Sequence, residues 1–237
     1  MSISVLQKAP TPDKQNRRRR ERRMVAVTLG LSLLAVGAIA AWVVGPAYLA
    51  YWNYEPREGD ILFHSSPRTR LVNAIEKVTG SRKSHCAIVA RLDGDWVVYE
   101  AYRGVEVTPL KEFIFRGRDQ AFAVYRLNEP QQPHVPAMLA HVHEFLGRPY
   151  DARYRLDDEK IYCTELIYKA YQRATGGESL GQLVRLRDLN WQPYEETIEH
   201  FEGGPAPLDR EIITPDNLAE AEPLRLIYSH RFSVGER

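Results

Sequence analysis

Apolar positions follow three different patterns along the chain. The first is an unbroken run. No charged residue occurs between Arg23 and Glu55, and residues 24–44 are almost continuously apolar. At about 1.5 Å per residue, a helix of that length crosses a hydrocarbon layer of roughly 30 Å. Trp42, Tyr48, Tyr51, Trp52 and Tyr54 gather at its far end, as interfacial aromatics do. Gly45-Pro46 is expected to end the helix.

The second pattern is helical. Leu71, Val72, Ile75 and Val78 predict a helix over 68–78 that stops at Gly80. Residues 137–146 predict another, closed by Gly147. Cys163, Leu166, Ile167, Ala170, Tyr171 and Ala174 form one apolar stripe, with Glu165, Lys169, Gln172 and Arg173 off it, on a helix closed by Gly176-Gly177. The third pattern is short and extended. Strands are predicted at 59–63, 84–92, 95–101, 121–127 and 224–228, the middle pair joined through the hairpin signal Asp93-Gly94. Residues 178–210, with Pro193, Gly203-Gly204, Pro205 and Pro207, read as irregular. Helices mixed with antiparallel hairpins give an α+β class.

Charge divides the chain at the same place as hydropathy. Residues 1–23 carry a net charge of +6 and the remainder −5. A folded part of that sign is a poor nucleic-acid binder. The basic segment beside an apolar run reads as a cytoplasmic flank under the positive-inside rule, with the C-terminal part exported. The expected organisation is a basic cytoplasmic tail (1–23), a transmembrane anchor (24–50) contacting the lipid bilayer, and one domain (51–237). A cleaved signal peptide is the alternative, because Ala38-Ile39-Ala40 offers a small-residue site. The run continues past it through Trp42-Val43-Val44, which favours the uncleaved anchor.

The hairpin has a chemical consequence. With Asp93-Gly94 as a two-residue turn, Leu92 pairs with Asp95 and Ala87 with Glu100. His85 then shares a face with Glu100 and lies diagonal to it, where a carboxylate can fix an imidazole tautomer and stabilise its charged form. Taken alone, a surface His and Glu on an edge hairpin is the plainer reading. Cys163 begins its helix, where the positive end of the helix dipole favours a thiolate. A core cysteine on an apolar face is the plainer reading there. A cysteine at a helix start facing a histidine on a sheet is the thiolate–imidazolium arrangement of papain-like enzymes, here with the histidine first in the chain.

The order of short motifs extends this. Gly59-Asp60-Ile61-Leu62 opens the domain, and Ser84-His85-Cys86-Ala87-Ile88-Val89 and Tyr99-Glu100-Ala101 follow on strands. Gly147-Arg148-Pro149-Tyr150-Asp151 precedes Tyr162-Cys163-Thr164-Glu165-Leu166, and Thr214-Pro215-Asp216 comes late. Over about residues 57–218 the sequence resembles the permuted papain-like amidases of the NlpC superfamily, in their YiiX-like branch. The family pattern has serine after the cysteine, and Thr164 keeps that hydroxyl. The resemblance implies a circularly permuted papain-like domain with an antiparallel sheet and packed helices, preceded here by the membrane helix. It implies Cys163 as nucleophile, His85 as its base and Glu100 as the residue orienting the histidine. It also implies a place in a bacterial inner membrane with the domain periplasmic, and amide substrates such as cell-wall peptides, or lipid acyl groups among permuted relatives.

Other residues carry weaker expectations. The Cys163 amide is a natural oxyanion donor. Tyr162, Tyr150 and Asp60 are candidates for the oxyanion site or pocket, although packing (for the tyrosines) and a turn (for Asp60) are the simpler roles. Cys86 points to the face opposite His85, so a Cys163 that meets His85 is expected not to meet Cys86. A structural Cys86–Cys163 disulfide is the rival. His141 and His143 do not share a helix face, so a metal site there is not expected, and His64, His134 and His200 have no predicted partner. Neither a metal nor another cofactor is called for. The expected activity is a membrane-anchored cysteine hydrolase or acyltransferase. The alternatives are a binding module that uses the same cleft for a peptide or lipid, and a structural envelope protein whose cleft is filled by residues 178–210.

Overall fold

The structure is a computed structural model and describes residues 12–232. It divides into two compact units that meet between Leu49 and Ala50. Helix α1 (Pro12–Asn53) contains the segment Arg19–Asn53, long and apolar enough to cross a membrane. Pro46 lies inside this helix and does not end it. A proline removes one N–H donor and crowds the preceding turn, but the helix resumes its ladder beyond it.

The second unit is built on a six-stranded sheet in the order β4-β3-β2-β1-β5-β8, with every neighbouring pair antiparallel. Its strands are β1 (Ile61–His64), β2 (His85–Leu92), β3 (Asp95–Ala101), β4 (Val105–Pro109), β5 (Phe122–Leu127) and β8 (Leu224–His230). Between them lie α2 (Arg70–Thr79), α3 (Leu110–Arg116), α4 (Val135–Glu144), α5 (Cys163–Thr175), the two-residue strand β6 (Val184–Arg185), α6 (Glu195–Glu202), β7 (Glu211–Ile212), which pairs with β6, and α7 (Pro215–Ala219).

Both faces of the sheet are buried, which explains why β1 and most of β2 read as continuous apolar runs rather than alternating ones. On one face Ile61, Phe63, Cys86, Ile88 and Tyr99 pack under Met138 and Val142 of α4 and Cys163, Leu166, Ile167 and Ala170 of α5. On the other, Leu62, Ala87, Val89, Val98 and Val124 pack under Leu110, Phe113 and Ile114 of α3, together with Ala50 and Tyr54.

The β2–β3 hairpin has the register read from the sequence, Leu92 opposite Asp95 and Ala87 opposite Glu100. Asp93 and Gly94 both take positive φ (51° and 92°), as a type I′ turn requires. Thr69 caps α2 by accepting from the Val72 amide, and Gly80 ends it at φ 70°. Two expectations change. Residues 178–210 are not wholly irregular, because α6 forms within them. Strand β4 and helix α3, which the sequence reading passed over, cover the site described next. Glu165, although off the apolar stripe, is buried, and accepts a hydrogen bond from the Tyr162 amide at 3.1 Å.

Candidate active site

His85 is the first residue of β2 and faces the α3 side of the sheet with Glu100 of β3. The His85 Nε2–Glu100 Oε2 distance is 2.6 Å, and both residues are buried. Glu100 has further donors. Thr108 Oγ1 on β4 donates to Oε1 at 2.5 Å, and Arg116 Nη2 on α3 donates to Oε2. The Arg116 guanidinium also lies 4.1 Å above the Tyr102 ring. The carboxylate is therefore fixed by groups from three elements, and it fixes the imidazole through one nitrogen. Nδ1 is left for a second partner.

That partner is Cys163. It is the first residue of α5 and reaches the end of β2 from the opposite face of the sheet, where its thiol interacts with the His85 ring and with Cys86. The expectation that Cys163 meets only one of these two residues is wrong. Faces alternate along a strand, but at its first residue nothing screens one face from the other, and a side chain arriving past the end touches both. Both cysteines are free thiols in the structure, so the rival disulfide is not formed.

The charges follow from this packing. The Cys86 thiol as a hydrogen-bond donor, against the opposing effect of burial and with help from His85, holds the Cys163 pKa well below its ordinary value. Burial disfavours an imidazolium at His85, but hydrogen bonds to Cys163 and Glu100 outweigh it and raise the pKa to about 9. Burial also opposes ionisation of Glu100, yet its bonds to His85 and Arg116 bring it down to about 2. Cys86 moves upward, through burial and the neighbouring Cys163. These directions favour a Cys163 thiolate beside a His85 imidazolium, the charge pair that suits a nucleophile with a proton donor next to it.

The turn before His85 is held from several directions. Ser84 Oγ accepts from the Ser66 amide at 2.9 Å, and Lys83 Nζ and Ser81 Oγ reach Asp216 Oδ1 at 2.5 and 2.9 Å. Thr214 caps α7 and so presents Asp216, and the late Thr-Pro-Asp motif thereby ties down the turn that leads into His85. The Gly147–Asp151 motif meets the chain at the start of β4. Gly147 N donates to Val105 O and Val105 N to Arg148 O, at 2.9 and 2.8 Å. A Cβ on Gly104 would stand 2.7 Å from the Arg148 carbonyl oxygen, so only glycine permits this approach.

The three weaker candidates separate. Tyr150 is close enough to Cys163 for the thiolate to add to burial in raising its pKa, and its hydroxyl is 3.1 Å from that of Tyr154. Tyr162 is buried, its hydroxyl accepts from the Ile213 amide at 3.1 Å, and its ring packs on Tyr154. Asp60 lies four residues from His64 along β1, roughly 13 Å away at strand rise. Its carboxylate is occupied by Arg126 Nε (2.6 Å) and Nη2 (2.8 Å), the Tyr54 hydroxyl (2.7 Å) and the Arg57 amide (2.9 Å). The structure does not bring it to the cysteine.

Four neighbours of the pair were missed in the sequence. His64 stands directly opposite His85 in the β1–β2 register, with ring centroids 5.3 Å apart, and stacks on Phe113 at 4.3 Å. Thr108, Arg116 and Tyr102 surround the Glu100–His85 bond. A signal for two of them was present: Val105-Glu106-Val107-Thr108 alternates, and Leu110, Phe113 and Ile114 have helical spacing just before Arg116.

Known proteins resemble this chain over about three quarters of its length. Residues 55–228 match the model of a family described as permuted papain-like amidase enzymes, YaeF/YiiX, the C92 family. The uncharacterized protein YiiX of Escherichia coli (strain K12) is 28% identical over 177 residues, covering 73% of this chain and 87% of that protein. A crystal structure from Escherichia coli O157:H7, described as the metalloprotein yiiX, superposes with a TM-score of 0.67 at 27% identity, covering 75% of this chain and 99% of the other. Among the described residues here, no three His, Cys, Asp or Glu side chains come together as a metal-holding group. By the extent of the family match, the chain belongs to the C92 family of permuted papain-like amidases.

Proposed function

We propose that the protein is a membrane-anchored cysteine hydrolase of amide or ester bonds that works through Cys163, His85 and Glu100. The observation that carries this is the single histidine held between a carboxylate and a helix-start thiol, with pKa values driven apart so that thiolate and imidazolium coexist. The thiolate attacks the carbonyl carbon. The tetrahedral oxyanion is received by the Cys163 amide, a first-turn donor of α5, and by Tyr150, whose phenol is kept protonated by burial and by the nearby thiolate. His85 gives its proton to the leaving amine or alkoxide, and a thioester remains. Neutral His85 then takes a proton from water, or from another acceptor, to release the acyl group.

Helix α1 supports the anchored part of this reading, and the net positive flank before it supports a cytoplasmic N-terminus with the domain in the periplasm. For the substrate, Tyr154 links the site to an apolar cavity of about 100 Å³ lined by Ala74, Val78, Leu186, Ile198 and Phe201. An acyl chain or an apolar peptide side chain suits such a wall.

The test is an acyl-enzyme trap. The full chain in detergent is mixed with p-nitrophenyl esters of increasing acyl length. A burst of one nitrophenol per protein and a thioester mass on the Cys163 peptide are expected, both absent in Cys163→Ala. A folded protein that binds the esters yet acquires no thioester would favour the binding-module reading.

A further inference from the structure

Cys86 neither attacks the carbonyl nor moves a proton in acyl transfer, and its share there is the hydrogen bond that favours the Cys163 thiolate; yet it is a second, fully buried thiol beside the nucleophile. It opposes Phe63 in the β1–β2 register, points to the α5 side of the sheet, and belongs to the same packed layer as Cys163 and Leu166. Both thiols are free, they lie in one packed layer, and each acts on the ionisation of the other. Valine or alanine would fill this position without a second sulfur.

We propose that Cys163 is a peroxide-oxidisable site and that Cys86 is its resolving thiol, so that oxidation closes a reversible Cys86–Cys163 disulfide that turns the enzyme off. The inference rests on Cys163 being the thiolate nucleophile. The oxidant is a peroxide. The Cys163 sulfur attacks one peroxide oxygen, the O–O bond breaks, and the leaving hydroxide takes the His85 proton to become water. Cys163 is then a sulfenic acid. The Cys86 sulfur attacks the Cys163 sulfur, the S–O bond breaks, and the departing hydroxide leaves as water with the Cys86 proton. Two sulfurs have each lost one electron, and one peroxide has become two waters. Without a resolving thiol, a sulfenic acid continues to the irreversible sulfinic acid. Bond formation needs the sulfurs to approach to about 2.05 Å.

The experiment uses the full chain in detergent, exposed to hydrogen peroxide and analysed by peptide mass spectrometry, with alkylation of Cys163 at pH 6 measured before and after dithiothreitol. Wild type is expected to form a Cys86–Cys163 cross-linked peptide, to lose alkylation completely, and to recover it completely on reduction. Cys86→Ser, or Cys86→Ala if serine disturbs the core, is expected to accumulate Cys163 sulfinic acid and to recover nothing. Wild-type protein that alkylates readily at Cys163 but goes to the sulfinic acid without the cross-link would overturn the switch and leave the hydrolase reading standing. Protein whose Cys163 neither alkylates nor oxidises would overturn both.

Discussion

His64 and His85 face each other across β1 and β2 with their rings 5.3 Å apart, and their proton affinities are driven in opposite directions. Burial, then the charges of His85 and Arg116, hold the His64 pKa well below 6.5, while Cys163 and Glu100 raise that of His85 to about 9. One imidazole stays neutral so that the other can stay charged. Imidazole ¹⁵N chemical shifts should show His85 doubly protonated at pH 7 and His64 as a single neutral tautomer throughout pH 5.5–8. A His64 that gains its second proton near pH 6.5 would contradict this arrangement.

Glu100 determines how far the charged state of His85 persists. Its own pKa lies near 2, below the ordinary 4.5, so its ionisation stabilises the fold above pH 4.5, and this contribution is lost as pH falls through 2. His85 has the opposite sign: its contribution is full below 6.5 and is lost as pH rises through 9. Glu100→Gln should lower the His85 pKa from about 9 towards 6.5, reduce acyl transfer at pH 7 by roughly 10²-fold, and flatten the acid limb of a stability–pH curve measured by denaturant unfolding.

Asp60 supports the opposite end of β1. Arg126→Met leaves a fully buried carboxylate with only the Tyr54 hydroxyl and the Arg57 amide. Unfolding free energy should fall by about 3–5 kcal/mol, while the alkylation rate of Cys163 in the remaining folded protein stays unchanged. A changed rate would show that Asp60 acts on the site.

Gly117 lies against the site from behind. Its φ of −56° suits any residue, but a Cβ there would stand 3.0 Å from His64 Nδ1 and 3.2 Å from His64 Cβ and Cγ. His64 cannot retreat, because Phe113 is stacked on it. Gly117→Ala should cost about 1–3 kcal/mol and should shift the His85 titration, both readable in a combined unfolding and ¹⁵N experiment.

The sequence revealed those parts of the site that depend on local rules. An Asp-Gly turn sets a register, and that register places Glu100 on the His85 face. An apolar stripe beginning at Cys163 marks a helix start. What it did not reveal depends on non-local pairing. That His64 meets His85 follows from the β1–β2 register, which no turn between the two strands specifies, because α2 intervenes. That Arg116 completes Glu100 follows from β4 and α3 folding back over β3. Cys86 was misjudged because, although the faces alternate as expected, a side chain that arrives past the end of a strand reaches both of them. Pro46 was read as a stop, although the helix absorbs it.

If His85 maintains Cys163 as an ionised nucleophile, the reactivity of the thiol must persist in acid. The most direct measurement is the iodoacetamide alkylation rate of Cys163 in the full chain between pH 5 and 9, resolved by peptide mapping, for wild type and His85→Ala. The rate should stay high well below the ordinary thiol pKa of about 8.5 and fall about tenfold or more at pH 6 when His85 is removed. A rate that rises only around pH 8.5, unchanged by His85→Ala, would contradict an ionised Cys163 maintained by His85.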